Sequence, residues 1–336
     1  MPTPSAPAPT PDADAPAITV LGPHPLLAIG IEPGPAGSDE IHLHPAGQGV
    51  WVARMAGALG AHPVLCGYLG GETGDMLRPL LEALPGECQL VPTASGSGAY
   101  VMDRRRGPNE PVAKALSSAP TRHELDDLST ISIASALRSG VLVLCNPFPG
   151  EALGSDFYER IVADVRPHGV RVLADLSSPR LEGALAGGVD IVKINDWELA
   201  EFVCGAVEEL DDLAAAVGAL RARGAQLVII TRGERPALVF AHDGAWELTA
   251  PSFEYGFREG CGDSMMGAMA AMLAQGADWQ EAAITGAAAG AANFLRRGLG
   301  TGSRAVIDEL RSAVTLRPLP LWSESRSARE AVRTAR

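Results

Sequence analysis

An α/β fold with a mainly parallel central sheet follows from three observations. Short, uniformly apolar and β-branched runs recur at 18–21 (ITVL), 141–146 (VLVLCN), 170–176 (VRVLADL), 190–195 (DIVKIN) and 226–233 (QLVIITRG). Segments with helical spacing, such as 156–169 and 210–224, separate them, and the connections are short. Strands buried on both faces read as continuous apolar runs, and alternation with helices covers a parallel sheet on both sides. Such sheets bind ligands at the carboxyl ends of their strands, where Asp175, Lys193, Asn195 and Thr231 stand.

The chain has 336 residues, 46% of them hydrophobic and 20% charged, which is a globular composition with room for one large domain or two small ones. A formal charge of −13 argues against nucleic acid or an anionic membrane as partner. The five cysteines are odd in number, scattered and without CxxC spacing, so they read as reduced thiols with no zinc site. The segment 1–17 is rich in Pro and Ala and lacks both a basic and an apolar signal region. It is expected to be a disordered tail. No apolar run suits a bilayer span, so a soluble, cytoplasmic protein is expected.

In chain order, 18–21 is a strand leading into a GPHP turn, and 39–44 (DEIHLH) alternates as a half-exposed strand. His42 and His44 share a face there, but without a third ligand nearby no metal site is expected. A Gly-bearing turn at 45–49 opens a helix that Gly60 ends. A buried strand, a glycine turn and a helix follow from 63 to 84. The segment 95–116 breaks the rhythm and reads as a flap. Arg104–Arg106 and a GPN turn would form its solvated tip, although three arginines can also contact phosphate. Helices are expected at 279–298 and 303–314, with a folded region of 18–314 and a loosely held tail at 315–336.

The stretch 255–276, YGFREGCGDSMMGAMAAMLAQG, is the most informative. A polar, Gly-rich loop runs straight into an apolar helix that Gly276 stops. Gly260 and Gly262 let successive amides point one way, and with the positive end of the helix dipole they make an anion site. A carboxylate there, Asp263, suits a base beside a phosphate in transfer; the alternative is a plain N-cap.

These residues resemble the ribokinase/phosphofructokinase-B (PfkB) family of ATP-dependent small-molecule kinases, nearest its 1-phosphofructokinase and tagatose-6-phosphate kinase branch. The family's Gly-Ala-Gly-Asp signature stands here as Gly260-Cys261-Gly262-Asp263. Its Asn-x-x-Glu motif after Lys-x-Asn stands as Lys193, Asn195 and Glu198, and its Thr-x-Gly turn as Thr231-Arg232-Gly233. The run 66–77 (CGYLGGETGDML) matches the branch's glycine turn and helix. The resemblance covers about 18–310 and implies a ribokinase-like three-layer α/β/α sandwich with a small β lid from about 29–46 and 95–114.

It also implies roles. Asp263 would take the proton of the acceptor hydroxyl, with the amides of Cys261, Gly262 and Asp263, after the turn at Gly260, forming the anion hole. Glu198 and Asn195 would hold the water shell of Mg²⁺ on ATP. Lys193, Thr231 and Gly233 would line the triphosphate, with Asn293 near the adenine. A lid of this kind pairs between subunits, so a homodimer through the lid is the expected assembly, with a small sugar-like molecule as substrate. There is no GxGxxG in an opening strand–helix turn and no Walker A motif, which disfavours a dehydrogenase or a P-loop enzyme.

The acceptor half departs from the family. Ala28 stands where the branch has its sugar-gripping Asp, and the Gly-Gly-Lys-Gly-x-Asn motif becomes Ala46-Gly47-Gln48-Gly49-Val50-Trp51. Positions aligned with phosphate-binding residues fall near Gly96, Gly98 and Tyr100. Gly47, Gln48, Trp51 and Tyr100 are therefore the candidate acceptor residues, with Trp51 and Tyr100 offering aromatic surface in place of charge. Trp51 reads equally as a core residue of its helix. The expected acceptor is an alcohol other than fructose 1- or 6-phosphate. The alternatives are a member that binds nucleotide without efficient catalysis, and a standard phosphohexose kinase using the flap arginines. Cys261, at a helix N-terminus, is a candidate for a lowered pKa.

Overall fold

The computed structural model describes residues 15–105, 111–296 and 300–319. Its strands are β1 (Ala17–Leu21), β2 (Leu26–Pro33), β3 (Asp39–Ala46), β4 (His62–Leu69), β5 (Glu87–Pro92), β6 (Ala99–Asp103), β7 (Pro111–Ala115), β8 (Val141–Cys145), β9 (Arg171–Asp175), β10 (Val189–Asn195), β11 (Ala225–Arg232), β12 (Arg235–Ala241), β13 (Gly244–Thr249) and β14 (Thr315–Pro318). Its helices are α1 (Gln48–Ala58), α2 (Gly71–Glu82), α3 (Arg122–Ser139), α4 (Ser155–Val165), α5 (Arg180–Gly187), α6 (Asp196–Val203), α7 (Leu210–Ala222), α8 (Cys261–Ala274), α9 (Trp279–Phe294) and α10 (Arg304–Arg311).

The large sheet runs β14-β13-β12-β11-β10-β9-β8-β1-β4-β5. It is parallel from β11 to β5 and antiparallel from β11 out to β14. One face is covered by a core built from α1, α2 and α8–α10, the other by a core from α3–α7. The alternation of apolar strands and helices therefore yields the expected three layers. Thr315–Pro318, expected in a loose tail, instead pairs with β13 and closes one sheet edge, since Leu316 finds Leu248 opposite it. The cysteines at the described positions are all free thiols, and among the described residues no helix is long and apolar enough to cross a membrane.

Four strands form a second sheet, β3-β2-β6-β7, which is the lid. Register places Ala28, His44 and Tyr100 side by side, then Gly30, His42 and Met102, on one face. Ile29, Leu43 and Val101, then Ile31 and Ile41, share the other. His42 and His44 stack on the first face, their ring centroids 5.9 Å apart.

Helix α8 is apolar on every side, because it lies between α1, α9 and the sheet, with Ser264–Leu273 all buried. Gly267 makes that fit. A Cβ there would collide with the backbone carbonyl of Val52 on α1. Gly267→Ala is expected to cost about 1–3 kcal/mol through overpacking, read from urea unfolding midpoints.

Candidate active site

The carboxyl ends of β8–β11 deliver the polar residues to one place. Lys193, the third-last residue of β10, is buried, and its Nζ donates to Asp175 Oδ2 at the end of β9 at 2.6 Å. Gly262 passes directly over this ammonium; a Cβ on it would stand 2.7 Å from Lys193 Nζ. A side chain at that position in the first turn of α8 would therefore displace the ammonium from its bond with Asp175. Gly260 is the N-cap of α8 with φ +77°, a left-handed conformation that glycine adopts without strain. Asp263 is the third residue of the helix and makes no capping bond, so the plain N-cap reading is corrected. Of the three amides expected to face an anion, that of Cys261 is bonded to the Arg258 carbonyl at 3.3 Å. Gly262 and Asp263, in the first turn, have no intrahelical acceptor for theirs.

Two carboxylates thus share one ammonium. Burial, and then the neighbouring Asp175, push the Asp263 carboxyl up to about 7, against the opposing pull of Lys193 and a hydrogen bond from Gln48. Burial acts to lower the Lys193 pKa, but Asp175 and Asp263 more than reverse it. Gln48 locks this corner: its Nε2 donates to the Asp175 carbonyl at 3.2 Å and its Oε1 accepts from the Asn146 amide at 2.7 Å. Asn146 Oδ1 in turn accepts from the Ser177 amide and Arg180 Nε.

Among the residues expected at the nucleotide, Asn195 and Thr231 lie opposite each other at the ends of β10 and β11. Gly233, with φ +64°, forms the exposed turn into β12. Asn195 and Glu198 make a reciprocal capping box: Asn195 Oδ1 accepts from the Glu198 amide at 2.8 Å, and Glu198 Oε2 from the Asn195 amide at 3.1 Å. Glu198 is half-buried, and burial is the main cause of its raised pKa. Asn293 sits elsewhere than expected. It is fully buried, donates to the Glu259 carbonyl at 2.8 Å and accepts from the Gly300 amide at 2.8 Å, so it braces the loop rather than facing a base.

Cys261 is also corrected. Burial raises its pKa, and its thiol is held by the Phe257 carbonyl and Asn293, so the helix dipole does not make it reactive.

Among the candidate acceptor residues, Gly47 caps α1 with φ +105° and Trp51 packs half-buried against the core, its backbone beside Gly300. Tyr100 lies half-buried on the lid; burial, then Glu259, raise its pKa, with Arg104 opposing. Arg104 is not a solvated tip. It meets Glu32 at 3.3 Å, and its guanidinium lies 6.0 Å from the centre of the Phe257 ring, tying the lid to the loop before α8. Arg105 pairs with Asp39 and Asp103. Arg106 and the GPN turn lie outside the described residues. Asn146 carries no local sequence signal, because only the fold brings it to the site, whereas Arg104 stands out in sequence only as part of a three-arginine run.

A family model described as pfkB family carbohydrate kinase matches residues 28–305. The chain belongs to this family. As a PfkB carbohydrate kinase it is a phosphotransferase with an alcohol group as acceptor. It is 27% identical over 260 residues to the ATP-dependent 6-phosphofructokinase isozyme 2 of Escherichia coli (strain K12), covering 76% of this chain and 83% of that one. The structure of the tetrameric inhibited form of phosphofructokinase-2 from Escherichia coli matches with a TM-score of 0.76 at 25% identity, covering 88% of this chain and 98% of that chain. Arabidopsis thaliana ribokinase, complexed with ribose and ATP, matches in fold with a TM-score of 0.69 at 18% identity, covering 88% and 99%. The three-layer sandwich with its small lid is thus ribokinase-like.

The raised pKa of Asp263 fixes a sign. A carboxyl whose folded pKa exceeds its unfolded value loses stability as pH rises from about 4 through about 7, because the unfolded chain ionises more readily. Asp263→Asn should therefore raise the melting temperature at pH 8 and change it little at pH 4, which calorimetric scans at the two pH values would read.

Proposed function

We propose that this PfkB kinase transfers the γ-phosphate of ATP, with Mg²⁺, to a hydroxyl of a sugar or sugar-like molecule, using an acceptor site unlike that of phosphohexose kinases. The observation that carries this is the placement of Asp263 beside Lys193 and the first turn of α8. Phosphoryl transfer asks mainly for in-line positioning and for neutralisation of charge on the moving group. The amides of Gly262 and Asp263 and the Lys193 ammonium meet the second need at one point. Asp263 accepts the proton as the acceptor oxygen bonds to phosphorus and the bond to the departing ADP breaks. With a pKa near 7 it is ionised for a large fraction of the time at neutral pH and still basic enough to take that proton.

Mg²⁺ would be held by phosphates and water, with Glu198 and Asn195 behind the water. Thr231 and Gly233 would line the phosphates from β11.

The acceptor end supports an alcohol without a phosphate. Ala28 brings no carboxylate to the lid, and Gln48 spends its side chain on Asp175, Asn146 and Asp263. Arg104 favours the second reading, a phosphohexose kinase. Against it, Glu32 pairs with Arg104 and Glu259 lies close enough to feel its charge, so the local cation is offset.

A homodimer through the lid is the assembly the outer lid face supports. Ile41 and Leu43 there are 67% and 43% exposed beside Ile29, Ile31 and Val101, an apolar patch of the kind that marks an interface. Leu43→Glu should shift the sedimentation coefficient from dimer to monomer; an unchanged value would remove the lid interface.

The deciding assay is ADP release with Mg-ATP across sugars, phosphosugars, polyols and nucleosides. One acceptor should raise turnover, and Asp263→Asn should lower kcat by about 10²–10⁴-fold while leaving nucleotide affinity within a few fold. If no acceptor raises turnover while ATP still protects the fold against heat, the chain binds nucleotide without catalysis.

A further inference from the structure

The side-chain amide of Gln48 has only one way round. Its Oε1 accepts from the Asn146 backbone amide at 2.7 Å, and its Nε2 donates to the Asp175 carbonyl at 3.2 Å. A backbone N–H only donates and a carbonyl only accepts, so turning this amide over would set oxygen against oxygen and NH₂ against N–H. Nε2 carries a second proton, and that proton is left for the Asp263 carboxylate. What Gln48 shows to the base is therefore decided from the side of Asn146.

Asn146 is oriented by the same logic. Its Oδ1 accepts from the Ser177 amide at 3.0 Å, from Ser177 Oγ at 3.1 Å and from Arg180 Nε at 3.2 Å, which turns its Nδ2 onto the Asp175 carbonyl at 3.3 Å. The peptide joining Cys145 to Asn146 is gripped on both edges: its carbonyl accepts from Tyr158 Oη at 2.8 Å and its amide donates to Gln48. Behind Asn146 stands Arg180, at the start of α5. Its guanidinium also donates to the Gly150 carbonyl at 2.8 Å, to Ser177 Oγ at 2.7 Å and to the Ser178 carbonyl at 3.2 Å. None of these oxygens is charged. A cation set on neutral oxygens of two loops serves through its rigid planar fork, which fixes the loops after β8 and β9 relative to each other.

The charged and titratable groups facing Asp263 are Asp175 on β9, Lys193 on β10, Cys145 on β8, and Glu259 and Cys261 beside it in the chain. Lys193 is committed to Asp175 at 2.6 Å. Burial and Asp175 push the Asp263 carboxyl up, and the Gln48 N–H works against them, so losing that N–H raises the pKa further.

We propose that Arg180 and Asn146 are positioning residues for the base: acting through Gln48, they keep one amide N–H turned on the Asp263 carboxylate and hold it in one orientation toward the acceptor hydroxyl. The inference rests on the kinase reading above for what Asp263 does, but not for the link to it. The test reads Asp263 directly, by carbon-13 NMR of carboxyl-labelled aspartate across pH, with the resonance assigned by its loss in Asp263→Asn. Gln48→Met should raise the titration midpoint by about one unit, the equivalent of one hydrogen bond. Arg180→Ala and Asn146→Ala should each raise it by about half a unit. Neither should raise it further in Gln48→Met protein, because both act through that amide. Arg180→Lys keeps the charge without the fork and should match Arg180→Ala, and it carries the test if the alanine variant does not fold. With an acceptor that raises ADP release, the acid limb of the kcat profile should move up by the same step, with KM for ATP within about twofold of the parent. A midpoint unmoved in Gln48→Met overturns the proposal, as does one that Arg180→Ala moves equally with and without Gln48. A lowered melting temperature with an unchanged midpoint overturns it too, leaving Arg180 a brace for its loops alone. Midpoints that move as expected in an enzyme releasing no ADP with any acceptor would sink the kinase reading and leave the link to Asp263 standing.

Discussion

The buried ion pair of Lys193 and Asp175 is the constraint on which the site depends. Its two members come from adjacent parallel strands, β10 and β9, so the sheet itself holds them at 2.6 Å. Such a pair adds little net stability, since both charges lose their water, but losing one partner costs about 3–5 kcal/mol. The pair earns its place through what lies above it. Gly262 rests on the ammonium, and the loop turn at Gly260 then sets where α8 begins. Asp263 follows from that start, within reach of both charges.

The same constraint explains why the loop before α8 is braced so heavily from outside. Asn293 spends both ends of its amide on the loop and on Gly300, and the Phe257 amide bonds to the Phe294 carbonyl at 2.7 Å. Arg258 pairs with Glu234 in the turn that carries Gly233, joining the two loops that flank the nucleotide side. A loop that must stand on a buried lysine cannot also collapse onto it, and these ties hold it at the right height. The chain's net charge of −13 makes this local arrangement more telling. An anionic substrate meets repulsion from the protein as a whole, and the helix terminus and one buried ammonium must supply the local attraction.

The parallel half of the fold was legible because its strands are apolar on both faces and its helices periodic. The rest was not, for physical reasons. Helix α3 buries Ser129, Ser132, Ser135 and Ala136 along with Leu128, a small polar face that leaves little apolar rhythm to read. The last strand of the antiparallel extension, β14, depends on a pairing between residues about 70 apart, Glu247 with Arg317. In the site, the strand-end residues and the GCGD loop announced themselves through local pattern. Asn293 misled because a buried Asn and a ligand-facing Asn look alike in sequence; only the carbonyl of Glu259 and the amide of Gly300 tell them apart. Cys261 misled because position in the first turn predicts a dipole effect, whereas burial dominates.

Gln48 links these arguments. The family resemblance puts a lysine at that position, and a second cation beside Asp263 would hold its carboxyl down. The neutral amide here braces Asn146 and Asp175 without supplying charge. Asp263 is then left with one shared ammonium against two carboxylates, and burial carries its pKa to about 7. A general base works best with a pKa near the operating pH. On the reading proposed above, the exchange that removes a cation at Gln48 would also strengthen Asp263 as a base, so loss of an anion contact and gain of basicity would be one structural change. Such a site offers no cation at Gln48 for a phosphate on the acceptor to meet.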